Sequence, residues 1–181
     1  MIPRYMVTVE ELTASFNVVP PPTYLYPDLP RRQIPRLPKP FTSDRQPLEG
    51  TSYTCQIGIS FSTRNPNFVE WRQRCVIQDS GDERSGVVIF DGDTVIGGYT
   101  AKGNQPRPPW FIGIHPDYQN QSLATTAIRE WFKAAPLIHL VTWPASETAV
   151  QAFVTAHKQY VEWEIEKGTT VPQRVIDSVR A

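Results

Sequence analysis

WFIGIHPDYQNQSLATTAIREWFKAA, residues 110–135, changes its hydrophobic period once along its length. Trp110 to His115 is a short apolar run of the kind a buried strand carries. Pro116 opens a tight turn, and Asp117 to Gln121 is polar. From Ser122 onward, Leu123, Ala127 and Trp131 form one i, i+4 row and Ile128 and Phe132 a second, together an apolar stripe about 100° wide, so a helix is predicted. A strand that feeds a polar loop and then a helix leaves free backbone N–H groups at the positive end of the helix dipole. Such a place can receive an anion.

The elements on either side follow from similar signals. Tyr53 to Phe61 alternates apolar with small or polar residues and predicts a strand, and Phe68, Trp71, Cys75 and Val76 share helical spacing over Phe68–Ile77. Val87 to Phe90, then Asp91-Gly92, then Thr94 to Tyr99 predicts a hairpin with Asp-Gly in a type I′ turn. Gly97-Gly98, inside its second strand, reads as a bulge and not as a phosphate loop. Beyond Pro136, Leu137 to Trp143 is expected as a buried strand. A helix begins near Ser146 with Ala149, Val150, Phe153, Val154, His157 and Val161 on one face. Residues 160–167 fit either a continuing helix or a strand, because Val161, Trp163 and Ile165 alternate with glutamates; with no glycine or proline before Gly168, the helix is preferred. A last short helix follows Pro172, with Val171, Val175 and Val179 in line.

Residues 1–50 differ in kind, since they hold ten of the eighteen prolines. Proline fixes φ and removes an amide donor, so this segment is expected as an extended arm, with one short helix over Thr8–Phe16 capped by Thr8. Tyr24, Leu25, Tyr26, Leu29, Ile34, Leu37 and Phe41 stand among the prolines as apolar anchors beside Arg31, Arg32, Arg36 and Lys39. Such an arm is expected to dock on protein partners in an oligomeric assembly; a plain solvated tail is the competing reading. The chain therefore divides into an arm (1–50), a domain (51–167) and a C-terminal short helix (168–181).

The 181 residues are 40% hydrophobic, and 18 basic side chains balance 18 acidic ones. That suffices for one core and gives no broad field to favour nucleic acid or an anionic membrane. No apolar run reaches the length of a membrane span and the first residues lack a leader pattern, so a protein that is not secreted, cytoplasmic or in a virion, is expected. Cys55 and Cys75 read as idle thiols, and with His115, His139 and His157 they form no metal-ligand spacing, so no metal is expected.

The run Ile112-Gly113-Ile114-His115-Pro116-Asp117-Tyr118, continued by Gln119-Asn120-Gln121-Ser122-Leu123-Ala124, resembles the acetyl-CoA motif of the GNAT N-acetyltransferase superfamily. The order of elements over roughly residues 50–160 is similar too. The resemblance implies an α+β (α/β) fold with a GNAT-like mixed central sheet and flanking helices. It implies acetyl-CoA as cofactor, its pantetheine arm lying between two splayed parallel strands against Ile112, Gly113 and Ile114. Its pyrophosphate would lie on Gln119, Asn120, Gln121, Ser122, Leu123 and Ala124.

Several positions depart from that family's pattern. Ser122 stands where the family has glycine, so a side chain crowds the phosphate, although its hydroxyl could also donate to it; acetyl-CoA is the expected cofactor if one is still bound. Ser146 and Phe153 stand where it commonly has an asparagine and a proton-donating tyrosine, and a phenyl ring has no proton to give. Tyr118 or Tyr160 are the substitutes for the acid, and His115 is the candidate base, though a strand-end histidine bonded to backbone is the plainer reading. Residues 168–181 are too few and too helical for the closing hairpin that shapes the family's acceptor site. The expectation is a GNAT-fold structural or adaptor protein with lost or weakened acetyl transfer, anchored by its arm in a larger assembly such as a viral or phage particle. An active acetyl-CoA-dependent N-acetyltransferase is the alternative.

Overall fold

The computed structural model describes residues 2–19, 41–61, 67, 70–71, 84–102, 110–138, 140 and 142–181. Its centre is an antiparallel sheet. Strand β5 (Thr54–Phe61) pairs with β6 (Arg84–Asp91), β6 with β7 (Thr94–Lys102), and β7 with β8 (Trp110–Ile114). On the far side of β5 lie the two-residue strands β3 (Phe41–Thr42) and β4 (Gln46–Pro47). A mixed central sheet was expected; every ladder described in this one is antiparallel.

Strand alternation sends successive side chains to opposite faces. On one face, Val87, Ile89, Tyr99 and Ala101 pack against helix α2 (Leu123–Ala134), which buries Leu123, Ala127, Ile128, Trp131 and Phe132. On the other, Val88, Phe90 and Val95 gather around Trp71, which is fully buried. Both glycines of the pair expected as a bulge have a structural reason. The register slips by one residue between Ile89 and Phe90, opposite Ile96. A Cβ on Gly98 would come within 2.9 Å of the Trp71 indole nitrogen and 2.5 Å of the Val87 carbonyl, so the indole lies against bare backbone there. The rest of the helix expected over Phe68–Ile77 lies largely outside the described residues.

The hairpin forms, with its turn one residue later than expected. Asp91 pairs with Thr94, so Gly92 and Asp93 are the central residues, and of the two only Gly92 takes a positive φ, 57°. Glycine at the first central place fits a II′ turn and not I′. Arg45 secures the tip from outside, its guanidinium 4.0 Å above the Phe90 ring and bonded to Asp93 at 2.9 Å.

Helix α3 (Glu147–Glu166) is capped by Ser146 and packs on α2; it continues through residues 160–166, which resolves that stretch as helix. Val161 and Glu164 turn inward and Trp163 is half-buried, as a helix places them. Helix α4 (Gln173–Arg180) then folds back and buries Val175 and Val179.

The largest revision concerns the two ends of the domain. Residues 2–18 belong to the folded body instead of an arm. Strand β1 (Ile2–Pro3) pairs antiparallel with β9 (Leu137–Ile138), helix α1 (Val9–Ala14) follows with Thr8 and Glu11 in a reciprocal capping box, and β2 (Phe16–Val18) pairs in parallel with β10 (Trp143–Ala145). The buried strand expected over Leu137–Trp143 is thereby two short ones, with Leu137 exposed. Phe41–Thr42 and Gln46–Pro47 also join the sheet, so of the expected arm only residues 1 and 20–40 lie outside the described residues.

This N-terminal strap is tied down along its whole length. The Arg4 amide donates to the Pro136 carbonyl at 2.7 Å, and its guanidinium lies 3.5 Å above the Phe132 ring with Nε 3.4 Å from the Ala135 carbonyl. A cation at the C-terminal end of α2 is favourably placed for the helix dipole, and the aromatic face takes the remaining charge. Burial still pushes the Arg4 pKa down to about 10. Further along, Val7, Leu12 and Ile138 make a small core of their own.

Candidate functional site

The loop that joins β8 to α2 is shaped by a short helical turn and two left-handed residues. Pro116–Tyr118 make one 3₁₀ turn, after which Asn120 and Ser122 both adopt left-handed backbone, with φ of 64° and 58°. They are the only residues other than glycine with positive φ among those described. Each such residue costs on the order of 1 kcal/mol, a strain that glycine would not incur. Ser122 is the N-cap of α2 with no side-chain cap bond, so the amides of the first turn are left for solvent or a ligand. Asn120, Gln121 and Ser122 are exposed, while Leu123 anchors the helix start in the core and Ala124 is half-buried.

Side chains fasten this loop to the sheet. The Tyr118 hydroxyl donates to the Asp91 carboxylate at 2.8 Å, and the Tyr53 hydroxyl donates to the Gln121 carbonyl at 2.8 Å; the two rings meet edge-on. The Gln119 side-chain Nε2 donates to the Ile114 backbone carbonyl at 3.2 Å. The His115 amide bonds the Ile96 carbonyl of β7. Because bonding alternates along an antiparallel ladder, Gly113 therefore turns its main-chain groups to β7, while Ile112 and Ile114 turn theirs to the outer edge. The Gly113 carbonyl also accepts from the Trp71 indole at 3.1 Å, and Gln119 covers that of Ile114. Of the three residues named for the pantetheine contact, Ile112 keeps an outward amide and carbonyl with no described partner.

Of the three candidates for proton transfer, two are neighbours: the His115 and Tyr118 rings meet edge-on with centroids 6.1 Å apart. His115 accepts the Asp117 amide on Nδ1 at 3.3 Å, which makes it a local turn-former. Tyr118 gives its proton to Asp91. Tyr160 is fully buried against Phe132 and Trp163, where burial and the neighbouring Glu164 carboxylate push its hydroxyl pKa up. No described contact links Tyr160 to the loop.

Phe153 lies at the centre of an aromatic cluster. Its ring is 4.9 Å from Trp110 of β8, 5.1 Å from Phe16 of β2, 5.8 Å from Tyr99 and 6.0 Å from Phe132. Phe16 also meets Trp110 edge-on at 6.4 Å. Sequence reasoning placed Phe16 at the end of the short helix expected over Thr8–Phe16; the helix stops at Ala14 and Phe16 opens β2 instead. Among the described residues, β8 pairs with β7, and β10 pairs with β2. The strap thus lies along β10 and reaches β8 through one aromatic side chain.

Among the described residues there is no group of three His, Cys, Asp or Glu side chains able to hold a metal, and no helix long and apolar enough to cross a membrane. Cys55 is a free buried thiol whose pKa burial pushes up to about 11; Cys75 lies outside the described residues. A scan against protein-family models, a search of curated proteins and a search of solved structures each find no match to the chain.

Proposed function

We propose that the chain is a GNAT-like structural or adaptor protein in which acetyl transfer is lost or weakened, held in a larger assembly, such as a viral or phage particle, through its proline-rich segment. The observation that carries this reading is the aromatic cluster of Phe16, Trp110 and Phe153. In the fold that the sequence resembles, an acyl chain needs an open channel between the strand of Trp110 and the strand before Phe153, with a proton donor at its end. Here Trp110 and Phe153 touch each other and a ring from the protein's own strap rests against both, which leaves an acyl chain little room, and the residue at the donor position is a phenylalanine that can donate nothing.

A second reading, a working acetyl-CoA-dependent N-acetyltransferase, draws on the left-handed backbone at Asn120 and Ser122, which keeps the amide cradle in shape for a pyrophosphate. Calorimetric titration with acetyl-CoA separates the two. The structural reading expects no saturable heat at micromolar to millimolar cofactor. Micromolar binding that disappears in Ser122→Trp, a change at an exposed position, would instead support the enzyme.

A further inference from the structure

The N-terminal strap carries its acid-sensitive ties in one short run. The His157 ring, fully buried on α3, has Nε2 2.8 Å from the Val7 carbonyl. Facing a carbonyl, Nε2 must carry the proton, which leaves Nδ1 as a bare acceptor. That atom is buried and has no hydrogen-bond partner. A second proton on the ring would therefore sit where nothing accepts it, in the field of the buried Arg4 guanidinium. The other charged or titratable groups around this place are the Tyr5, Tyr99 and Tyr160 hydroxyls, and then Glu164, which is engaged with Thr169 and Lys167. No carboxylate stands against His157 to welcome the imidazolium.

One turn along the strap, Glu11 takes two bonds from Arg174 at 2.9 and 3.0 Å, and Arg174 also donates to the Met6 carbonyl at 2.7 Å. Ser178 accepts the Val9 amide at 2.6 Å and donates to Glu10 at 3.0 Å. The bonds to Glu11 and Glu10 among these are strongest with the carboxylates ionised. Protonation of either kind of group weakens the hold on the same segment.

We infer that the strap formed by residues 2–18 is an acid-released latch, which opens as a unit ahead of the central sheet when His157 takes up a proton. Opening lets water reach the ring, frees the Val7 carbonyl, bares the edges of β9 and β10, and vacates the place Phe16 holds beside Trp110 and Phe153. The inference stands whether the chain binds acetyl-CoA or not.

The sign follows from linkage. Burial, opposed by the Val7 bond and helped by Arg4, lowers the His157 pKa from 6.5 to about 4. Between those values the open form binds a proton that the closed form does not, so the latch is fully held above pH 6.5 and weakens as pH falls towards 4. For one proton, the opening constant rises about twentyfold between pH 7 and pH 5. The Glu10 and Glu11 pKa values are also lowered, Glu11 by the Thr8 amide first and then Arg174, so their contribution falls away in the same direction at lower pH.

Amide hydrogen exchange on the full chain, corrected for intrinsic rates, tests this. Between pH 7 and pH 5 the Arg4, Leu12 and Val19 amides are expected to open about twentyfold more often, while Val88 and Ile89 in β6 hold their protection. In His157→Gln, which keeps a donor for Val7 and does not titrate, the strap amides should lose that pH dependence. Equal loosening of strap and sheet, or a pH dependence that survives in His157→Gln, would overturn the latch. A direct NMR titration of His157 in the unmodified protein stands beside it: a pKa of 6.5 or higher is incompatible with the mechanism.

Discussion

The β6–β7 hairpin and the strap are both made of extended backbone, yet they are held by opposite means. The hairpin pairs residues close in sequence, its turn is set by Gly92, and its side chains are buried on both faces. The strap pairs Ile2 with Ile138 and Phe16 with Trp143 across most of the chain, in ladders two or three residues long, and it is held by Arg4, His157 and Arg174 as much as by apolar burial. Local pairing makes one region robust to its surroundings. Long-range pairing through polar groups makes the other conditional on them.

Removing residues 2–18 is the harshest way to probe that difference. It strips Val7 and Leu12 from their core and Arg4 and Phe16 from theirs, so a loss of at least roughly 4 kcal/mol is expected, enough to unfold the α2–α3 side in urea titrations. A truncated chain with unchanged midpoint would show the strap to be a passenger. Next in size, Phe132→Ala should cost about 3–5 kcal/mol, because it opens a cavity under both helices and takes away the aromatic face beneath Arg4. In the hairpin, Gly98→Val should cost roughly 2–3 kcal/mol through contact with Trp71 and the Val87 carbonyl, with quenched or shifted indole fluorescence as a second readout.

The smallest expected effect has the opposite sign. Ser122→Gly should stabilise the chain by about 0.5–1 kcal/mol, by relieving left-handed strain at an exposed N-cap. A thermal melt that moves down instead would mean that the serine side chain supports the loop.

The same contrast explains what could be read in advance. The hairpin, α2 and α3 were legible because their signals lie within ten to twenty residues: Asp91-Gly92 between β-branched runs, the rows through Leu123 and Ile128, and Ser146 before an apolar stripe. Residues 160–166 were ambiguous because alternating glutamates fit both periods; packing of Val161 and Glu164 against their neighbours decided for helix. Nothing local announces that Phe16-Asn17-Val18 pairs with Trp143-Pro144-Ala145, since three residues are too few to show a strand period and their partner is far along the chain.

The loop between β8 and α2 was legible in position and not in detail. Pro116 and the helix stripe placed the loop, but Asn120 and Ser122 hold left-handed backbone without the glycine that usually marks it. The bonds from Tyr118 to Asp91 and from Tyr53 to Gln121 join residues with no spacing rule between them.

The account rests on the strap's aromatic side chain lying against both β8 and α3. The most direct measurement is the nuclear Overhauser spectrum of the full chain with labelled aromatic rings. Cross-peaks from Phe16 to both Trp110 and Phe153 are predicted, with centroids 6.4 and 5.1 Å away. A Phe16 ring with neither cross-peak, beside strap amides that exchange as fast as free chain, would contradict it.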